Sequence, residues 1–198
     1  MVKTTAMILD ELRRYASPAD KLARMVRDGE YIQITKGLYE TDRLTPGYLL
    51  AGSIYGPSYL SFEFALGYYG MIPEAVYTFT SATFEKKKKK TFNNPFGTYT
   101  YRDVPSSVYS MGLEIIEEGS YAFIIASREK AICDQLYKMG PVTNYGELQN
   151  LIFVDLRIDE QELHKINLEN LGILADQYPS RNVKRLYNLM RRMLKWIR

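Results

Sequence analysis

The strongest constraint on the fold is a helix near the start of the chain whose two ends are both marked. Ser17 is a favoured N-terminal capping residue, Pro18 suits the first helical position, and Asp20 puts a negative charge in the first turn. Gly29 can adopt the left-handed conformation in which many helices end. The sequence therefore predicts a short helix with a fixed start and a fixed end.

A second helix and a hairpin flank this one. Residues 4–15 carry apolar side chains at helical spacing, and residues 31–40 hold two short β-branched and aromatic runs around a Lys36-Gly37 turn. Helix, capped helix and hairpin in this order are typical of a winged helix-turn-helix. We therefore predict a small DNA-binding domain of this kind over residues 1–42.

The larger part of the chain follows a linker over residues 41–47, which contains a Pro-Gly pair. Four β-rich runs lie between residues 76 and 125, and helical patterns dominate from residue 127 onward. We predict a mixed α+β domain over residues 48–198 that ends in helices. The predicted fold class of the whole chain is α+β.

Basic residues on the capped helix are the first candidates for a binding site. Lys21, Arg24 and Arg27 are three residues apart, so they share the side of the helix opposite its apolar residues. They can face a phosphate backbone or base edges, or they can be solvated. In the context of a winged helix we favour DNA contact. Lys36 at the hairpin turn can also reach DNA, and an exposed turn lysine explains it equally well.

Two further basic segments stand out against a net charge of only +3. The first is an unbroken run of five lysines, for which we expect a self-repelling, mobile hairpin loop: Lys86, Lys87, Lys88, Lys89 and Lys90. The second is the last helix, expected over residues 180–197, with Arg185, Arg192 and Lys195 opposite an apolar stripe that reaches Ile197. Both segments can bind nucleic acid or an acidic partner, or only water.

Several classes of function are disfavoured by what the sequence lacks. Cys133 and His164 are the only cysteine and histidine, so no intrachain disulfide and no zinc site built from these residue types is expected. No phosphate-binding loop, serine-hydrolase elbow or zinc-protease motif occurs, so we expect no catalytic residues, no enzyme activity and no cofactor. No signal peptide or membrane span is recognisable, which predicts a cytoplasmic protein without membrane contact.

One residue in the second half has no local explanation. Ser127 is placed to cap a helix, and Glu129 in the first turn suits the positive end of the helix dipole. Lys130 occupies the same turn, where the dipole disfavours a cation. This position therefore leaves room for a function.

Three longer stretches carry a resemblance to a known family. They are LARMVRDGEYIQITKGLYE (residues 22–40), SYLSFEFALGYYGMIPEAVYTFTSAT (residues 58–83) and IASREKAICDQLY (residues 125–137). They resemble, in order, the recognition helix and wing, the YLS…AL…GLIP segment with its following strand, and the IAS-x-EKALCDLLY helix of the AbiEi antitoxin family. The second and third stretches are fairly specific as a pair.

The resemblance implies both a function and partners. Members of this family are the antitoxins of type IV toxin–antitoxin pairs and repress their own operon by binding operator DNA through the N-terminal domain. The C-terminal domain counteracts a partner toxin that is similar to nucleotidyltransferases. The sequence departs from the family in leaving little room between Tyr15 and Ser17 for the middle one of three N-terminal helices. The pattern fades after about Tyr145.

Two alternatives from other classes remain open. The chain can be an RNA- or protein-binding module that uses the lysine run and the basic C-terminal helix, without promoter-specific DNA binding. It can also be a degenerate nuclease-like enzyme, which would show metal-dependent turnover.

Overall fold

A computed structural model describes the backbone of residues 1–196 and the side chains as far as Met193. The fold is mixed α+β, as predicted. Within the described residues it contains nine α-helices and two β-sheets.

The first forty residues, which we call the N-terminal unit, form a three-stranded sheet with two helices. In chain order the elements are β1 (Lys3–Thr4), α1 (Thr5–Glu11), α2 (Pro18–Arg27), β2 (Ile32–Thr35) and β3 (Leu38–Glu40). The sheet order is β1-β3-β2, and both pairings are antiparallel. The hairpin is confirmed, whereas the sequence pattern does not predict β1.

The ends of α2 follow the sequence pattern with one exception. Pro18 begins the helix, Asp20 lies in its first turn, and Gly29 follows it with a φ of 80°. Ser17 occupies the N-cap position, but its side chain accepts no backbone hydrogen bond. Its hydroxyl instead donates to Asp20 Oδ2 at 2.7 Å. The preceding helix ends at Glu11, earlier than predicted.

The C-terminal unit, residues 47–196, is built on a six-stranded sheet. Its strands are β4 (Tyr59–Leu60), β5 (Thr78–Thr83), β6 (Lys90–Asn94), β7 (Gly97–Asp103), β8 (Leu113–Glu118) and β9 (Tyr121–Ala126). The order is β6-β7-β5-β4-β9-β8. The β5/β7 and β4/β9 pairs are parallel and the others are antiparallel.

Seven helices accompany this sheet. They are α3 (Ala51–Ile54), α4 (Phe62–Tyr68), α5 (Arg128–Lys138), α6 (Tyr145–Gln149), α7 (Glu160–His164), α8 (Leu168–Gln177) and α9 (Arg181–Trp196). A 3-10 turn over Gly47–Leu50 precedes α3, and a π-helical segment over Asn150–Asp155 continues α6. Asn144 and Asp159 cap α6 and α7, since their side chains accept first-turn backbone N–H groups.

The main core centres on α5. Ile132 and Leu136 are fully buried there, and Val183, Leu186 and Met190 of α9 join the same core. The apolar stripe of the last helix is therefore confirmed as far as Met190. The side chains of Leu194, Lys195 and Ile197 lie outside the part of the chain whose side chains are described.

The two units touch through β6 and β9. Asn94 Nδ2 donates to the Ile34 carbonyl at 3.1 Å, and the Tyr121 hydroxyl donates to the Glu40 carboxylate at 2.5 Å. Ile34 is buried in the main core, and Leu38 packs against it. The hairpin of the N-terminal unit therefore shares a core with the C-terminal unit.

Candidate functional site

The basic side of α2 faces away from the core of the N-terminal unit. Leu22 is buried, whereas Arg24 and Arg27 are exposed and Lys21 is partly exposed. Lys21 Nζ lies 5.6 Å from the ring centroid of Tyr15, and Arg27 Nε lies 3.8 Å from Asp28 Oδ1. These contacts are loose and solvated, so all three cations can reach a partner.

Lys36 is exposed at the turn between β2 and β3. Gly37 beside it has a φ of 79°, a conformation that glycine adopts without steric cost. The Gly37 carbonyl accepts a hydrogen bond from the backbone N–H of Thr5 at 3.0 Å. The turn is thus fixed against the start of α1, and the Lys36 side chain projects from an ordered site.

The lysine run does not form the predicted hairpin loop. It connects β5 to β6, and these strands lie on opposite sides of β7. Lys86 Nζ donates to the Gly56 carbonyl at 3.2 Å, the Lys87 backbone N–H donates to Asp103 Oδ2 at 2.6 Å, and Lys90 begins β6. Backbone pairing with β7 overrides the repulsion expected between the lysines. Lys88 and Lys89 remain exposed.

The basic residues of α9 have different surroundings. Both terminal nitrogens of Arg185 donate to backbone carbonyls, at 2.5 Å to Val142 and 2.7 Å to Thr143. Arg185 is therefore engaged in holding the loop before α6. Arg192 is exposed, with its guanidinium carbon 4.5 Å from the ring centroid of Tyr145. The side chain of Lys195 lies outside the described residues.

A fully enclosed polar cluster, which we call the buried network, lies at the centre of the C-terminal unit. Asp134 Oδ1 accepts from Lys130 Nζ at 3.0 Å and from the Tyr178 hydroxyl at 2.5 Å. Asp134 Oδ2 accepts from the Ser61 hydroxyl at 2.7 Å and from the Tyr59 hydroxyl at 3.0 Å. All five residues are buried. The carboxylate thus has four protein donors in place of water.

Burial and the single carboxylate set the protonation of this network. Burial lowers the pKa of Lys130, and the neighbouring Asp134 opposes that shift. Burial, reinforced by Asp134, raises the pKa of Tyr59 and Tyr178 well above the ordinary value, so both phenols stay protonated and donate. A Cβ on Gly112 would lie only 3.1 Å from Lys130 Cβ. The network is enclosed, and its hydrogen bonds join β4 and Ser61 to α5 and to Tyr178 after α8.

A strained residue lies beside the network. Phe62 is fully buried and has a φ of 56°, which is rare for a bulky side chain. It separates Ser61, which points into the buried network, from Glu63, which pairs with Arg102. Burial raises the pKa of Glu63, but Arg102 and the 3.3 Å hydrogen bond from Gln135 outweigh that effect and lower it. The strained backbone at Phe62 thus directs the polar side chains on either side of it into two different clusters.

The sequence contains only a partial signal for these clusters. Lys130 stands out because its position in the helix is unfavourable, and Asp134 four residues later has the spacing of a helical ion pair. Tyr178 lies 44 residues beyond Asp134 and Tyr59 lies 75 residues before it, and no local pattern marks either one.

No protein-family profile matches this chain, and no curated protein matches it. In residues 1–196 no helix is both long enough and apolar enough to cross a membrane. The same residues hold no group of three or more His, Cys, Asp or Glu side chains arranged to bind a metal ion.

Proposed function

We propose that the chain is a DNA-binding regulator and the antitoxin of a type IV toxin–antitoxin pair. In this proposal residues 1–42 form a winged helix-turn-helix that binds operator DNA. Residues 48–198 counteract a nucleotidyltransferase-like toxin. The proposal assigns no catalytic reaction to the chain. The single observation that carries it is the exposed basic side of α2 within the β1-β3-β2 arrangement of the N-terminal unit.

The topology supports the DNA-binding half of the proposal. A strand, two helices and a hairpin follow one another, and the first strand pairs with the last. Winged helix-turn-helix domains arrange their elements in this order, with the second of these helices in the major groove. In this assignment α2 is the recognition helix, Arg24 and Arg27 contact DNA with Lys21, and Lys36 lies in the wing.

The buried network supports the second half. Two of the three stretches that resemble the AbiEi family meet in it, because Tyr59 and Ser61 come from the second stretch and Lys130 and Asp134 from the third. The two stretches are far apart in the sequence, yet Tyr59, Ser61 and Lys130 all donate to the carboxylate of Asp134. The pair of motifs thus has a common structural purpose, which we assign to holding the antitoxin domain together.

The proposal is tested first on the native promoter. The Arg24→Glu/Arg27→Glu variant should weaken operator binding by several kcal/mol, since each good contact contributes about 1–3 kcal/mol. The matched control, Arg13→Glu/Arg14→Glu, changes two exposed cations of the same unit outside α2. Electrophoretic mobility shift should reveal a much smaller effect for the control. The assignment of α2 as the recognition helix would be contradicted if the two variants had equal effects. It would also be contradicted if the α2 variant bound the operator as the wild type does.

The proposed separation of DNA binding from antitoxin activity is tested in cells that carry the cognate toxin. The same α2 variant should fail to repress the promoter, yet it should still rescue the cells. Rescue that disappears together with repression would show that the two activities are not separable in this way.

A second candidate function is an RNA- or protein-binding module. The exposed arginines on α9 and the exposed Lys88 and Lys89 favour it. This alternative expects binding that is indifferent to sequence and is reduced by charge changes on α9, while the α2 variant retains it.

A further inference from the structure

The outer side of α9 forms a small polar pocket together with α6. The pocket is lined by Tyr145, Asn188, Arg191 and Arg192, and its volume is about 310 Å³. Asn188, Arg191 and Arg192 are exposed, and Tyr145 is partly buried. Two guanidinium groups and a carboxamide therefore line one concave site.

Aromatic rings support both arginines of the pocket. The guanidinium carbon of Arg192 lies 4.5 Å from the ring centroid of Tyr145, and that of Arg191 lies 5.6 Å from the ring centroid of Tyr187. A guanidinium group that rests on a ring leaves its N–H edge available to an oxyanion. Because the rings restrict the side chains, less conformational entropy is lost when an anion binds.

The arginines of the pocket have no ion-pair partner among the described side chains. The acidic residue on α6, Glu147, accepts hydrogen bonds from Thr143 and Asn144, so its carboxylate is already engaged. Arg185, which the sequence places on this basic face, already donates hydrogen bonds to two backbone carbonyls. Within the pocket, the positive charge available for binding is therefore that of Arg191 and Arg192.

We propose that this pocket binds a phosphate group of nucleic acid. The site goes beyond the proposed function, because it lies in the C-terminal unit and does not involve α2. Guanidinium forks match the oxygens of a phosphate, and the carboxamide of Asn188 adds a further donor. A concave site of this size admits a phosphate group.

The test measures fluorescence anisotropy with two labelled probes: a DNA duplex that lacks the operator sequence and a single-stranded RNA. Each variant is made in the full chain that already carries Arg24→Glu/Arg27→Glu, so that α2 does not contribute. Failure of the proposed function would instead be seen in operator binding by the chain that carries only Arg24→Glu/Arg27→Glu. It is therefore distinguishable from failure of the pocket.

Arg191→Gln/Arg192→Gln should weaken binding of the preferred probe about tenfold. Affinity should also depend less on salt: the slope of log affinity against log salt should become less negative by about 0.9 for each duplex phosphate that the variant no longer neutralises. The control Arg181→Gln/Lys184→Gln removes the same charge from exposed positions of the same helix outside the pocket. It should weaken binding much less. Tyr145→Leu, which changes no charge, should also weaken binding, because Arg192 is then without its supporting ring.

The probes separate the sources of the phosphate. Preference for the duplex or for RNA identifies the nucleic acid, and both results support the proposal. Competition by adenosine monophosphate but not by polyglutamate of equal charge also supports it. Equally weakened binding in the pocket and control variants would overturn it, since charge alone would then explain binding. Effective competition by polyglutamate would equally overturn it, in favour of an acidic protein partner.

Discussion

The two units of the molecule place the cations of α2 and Lys130 in opposite environments. The N-terminal unit has a small core of Ile8, Leu12, Leu22 and Tyr31 and keeps the cations of α2 outside. The C-terminal unit has a much larger core and encloses an ion pair within it. Exposed charges contribute little to stability and are free to bind, whereas a buried pair strongly penalises the removal of either partner. We therefore expect substitutions of the exposed α2 cations to affect binding, and substitutions of the enclosed ion pair to affect folding.

The largest effect is expected at Asp134. Asp134→Asn removes the negative charge and leaves Lys130 as a buried cation without a counterion. Breaking a buried pair in this way should lower the free energy of unfolding by about 3–5 kcal/mol. Urea unfolding followed by circular dichroism measures the change.

The double variant Lys130→Met/Asp134→Leu is the control for this prediction. It removes both charges, so much of the stability should return, although Ser61, Tyr59 and Tyr178 are deprived of an acceptor. If the single Asp134→Asn variant were as stable as the wild type, the enclosed ion pair would not contribute to the stability of the C-terminal unit.

The second prediction concerns the small core. Ile8 is fully buried, and Ile8→Ala should cost about 2–5 kcal/mol. Because the small cluster is separate from the main core, we expect the destabilisation to appear as local opening of α1 and α2. Hydrogen exchange should accelerate in residues 5–27 while residues 128–138 keep their protection. Uniform acceleration along the chain would show that the two units unfold as one.

How far the sequence predicts this structure differs between the two units. In the N-terminal unit local signals place α2 and the hairpin, since Pro18, Asp20 and Gly29 mark the ends of α2 and a Lys-Gly turn marks the hairpin. They do not predict β1 or the early end of α1. In the C-terminal unit the decisive interactions are non-local. β6 begins within the lysine run because it pairs with β7, which no local propensity indicates.

The candidate sites show the same contrast. Helical spacing alone places Arg24 and Arg27 on an exposed face, and the structure has them there. The same reasoning places Arg185 with Arg192, yet Arg185 binds carbonyls of the loop before α6. Spacing along a helix identifies the face of a residue, but it does not reveal which backbone atoms approach that face from elsewhere in the chain.

The smallest effect separates these two arginines, which lie on the same helix of the C-terminal unit, and tests whether only the exposed one resembles the cations of α2. Arg185→Gln removes two charge-assisted hydrogen bonds to Val142 and Thr143, so we expect the free energy of unfolding to fall by about 1–3 kcal/mol. Arg192→Gln removes only a solvated interaction with Tyr145, and its cost should stay below about 1 kcal/mol. Both variants remove one positive charge, so a difference between them in thermal unfolding cannot come from net charge. Equal stability would mean that water replaces the Arg185 guanidinium as the donor to these two carbonyls without cost. Arg185 would then be available for binding, as Arg24 and Arg27 are, and the contrast between the units would reduce to the buried network alone.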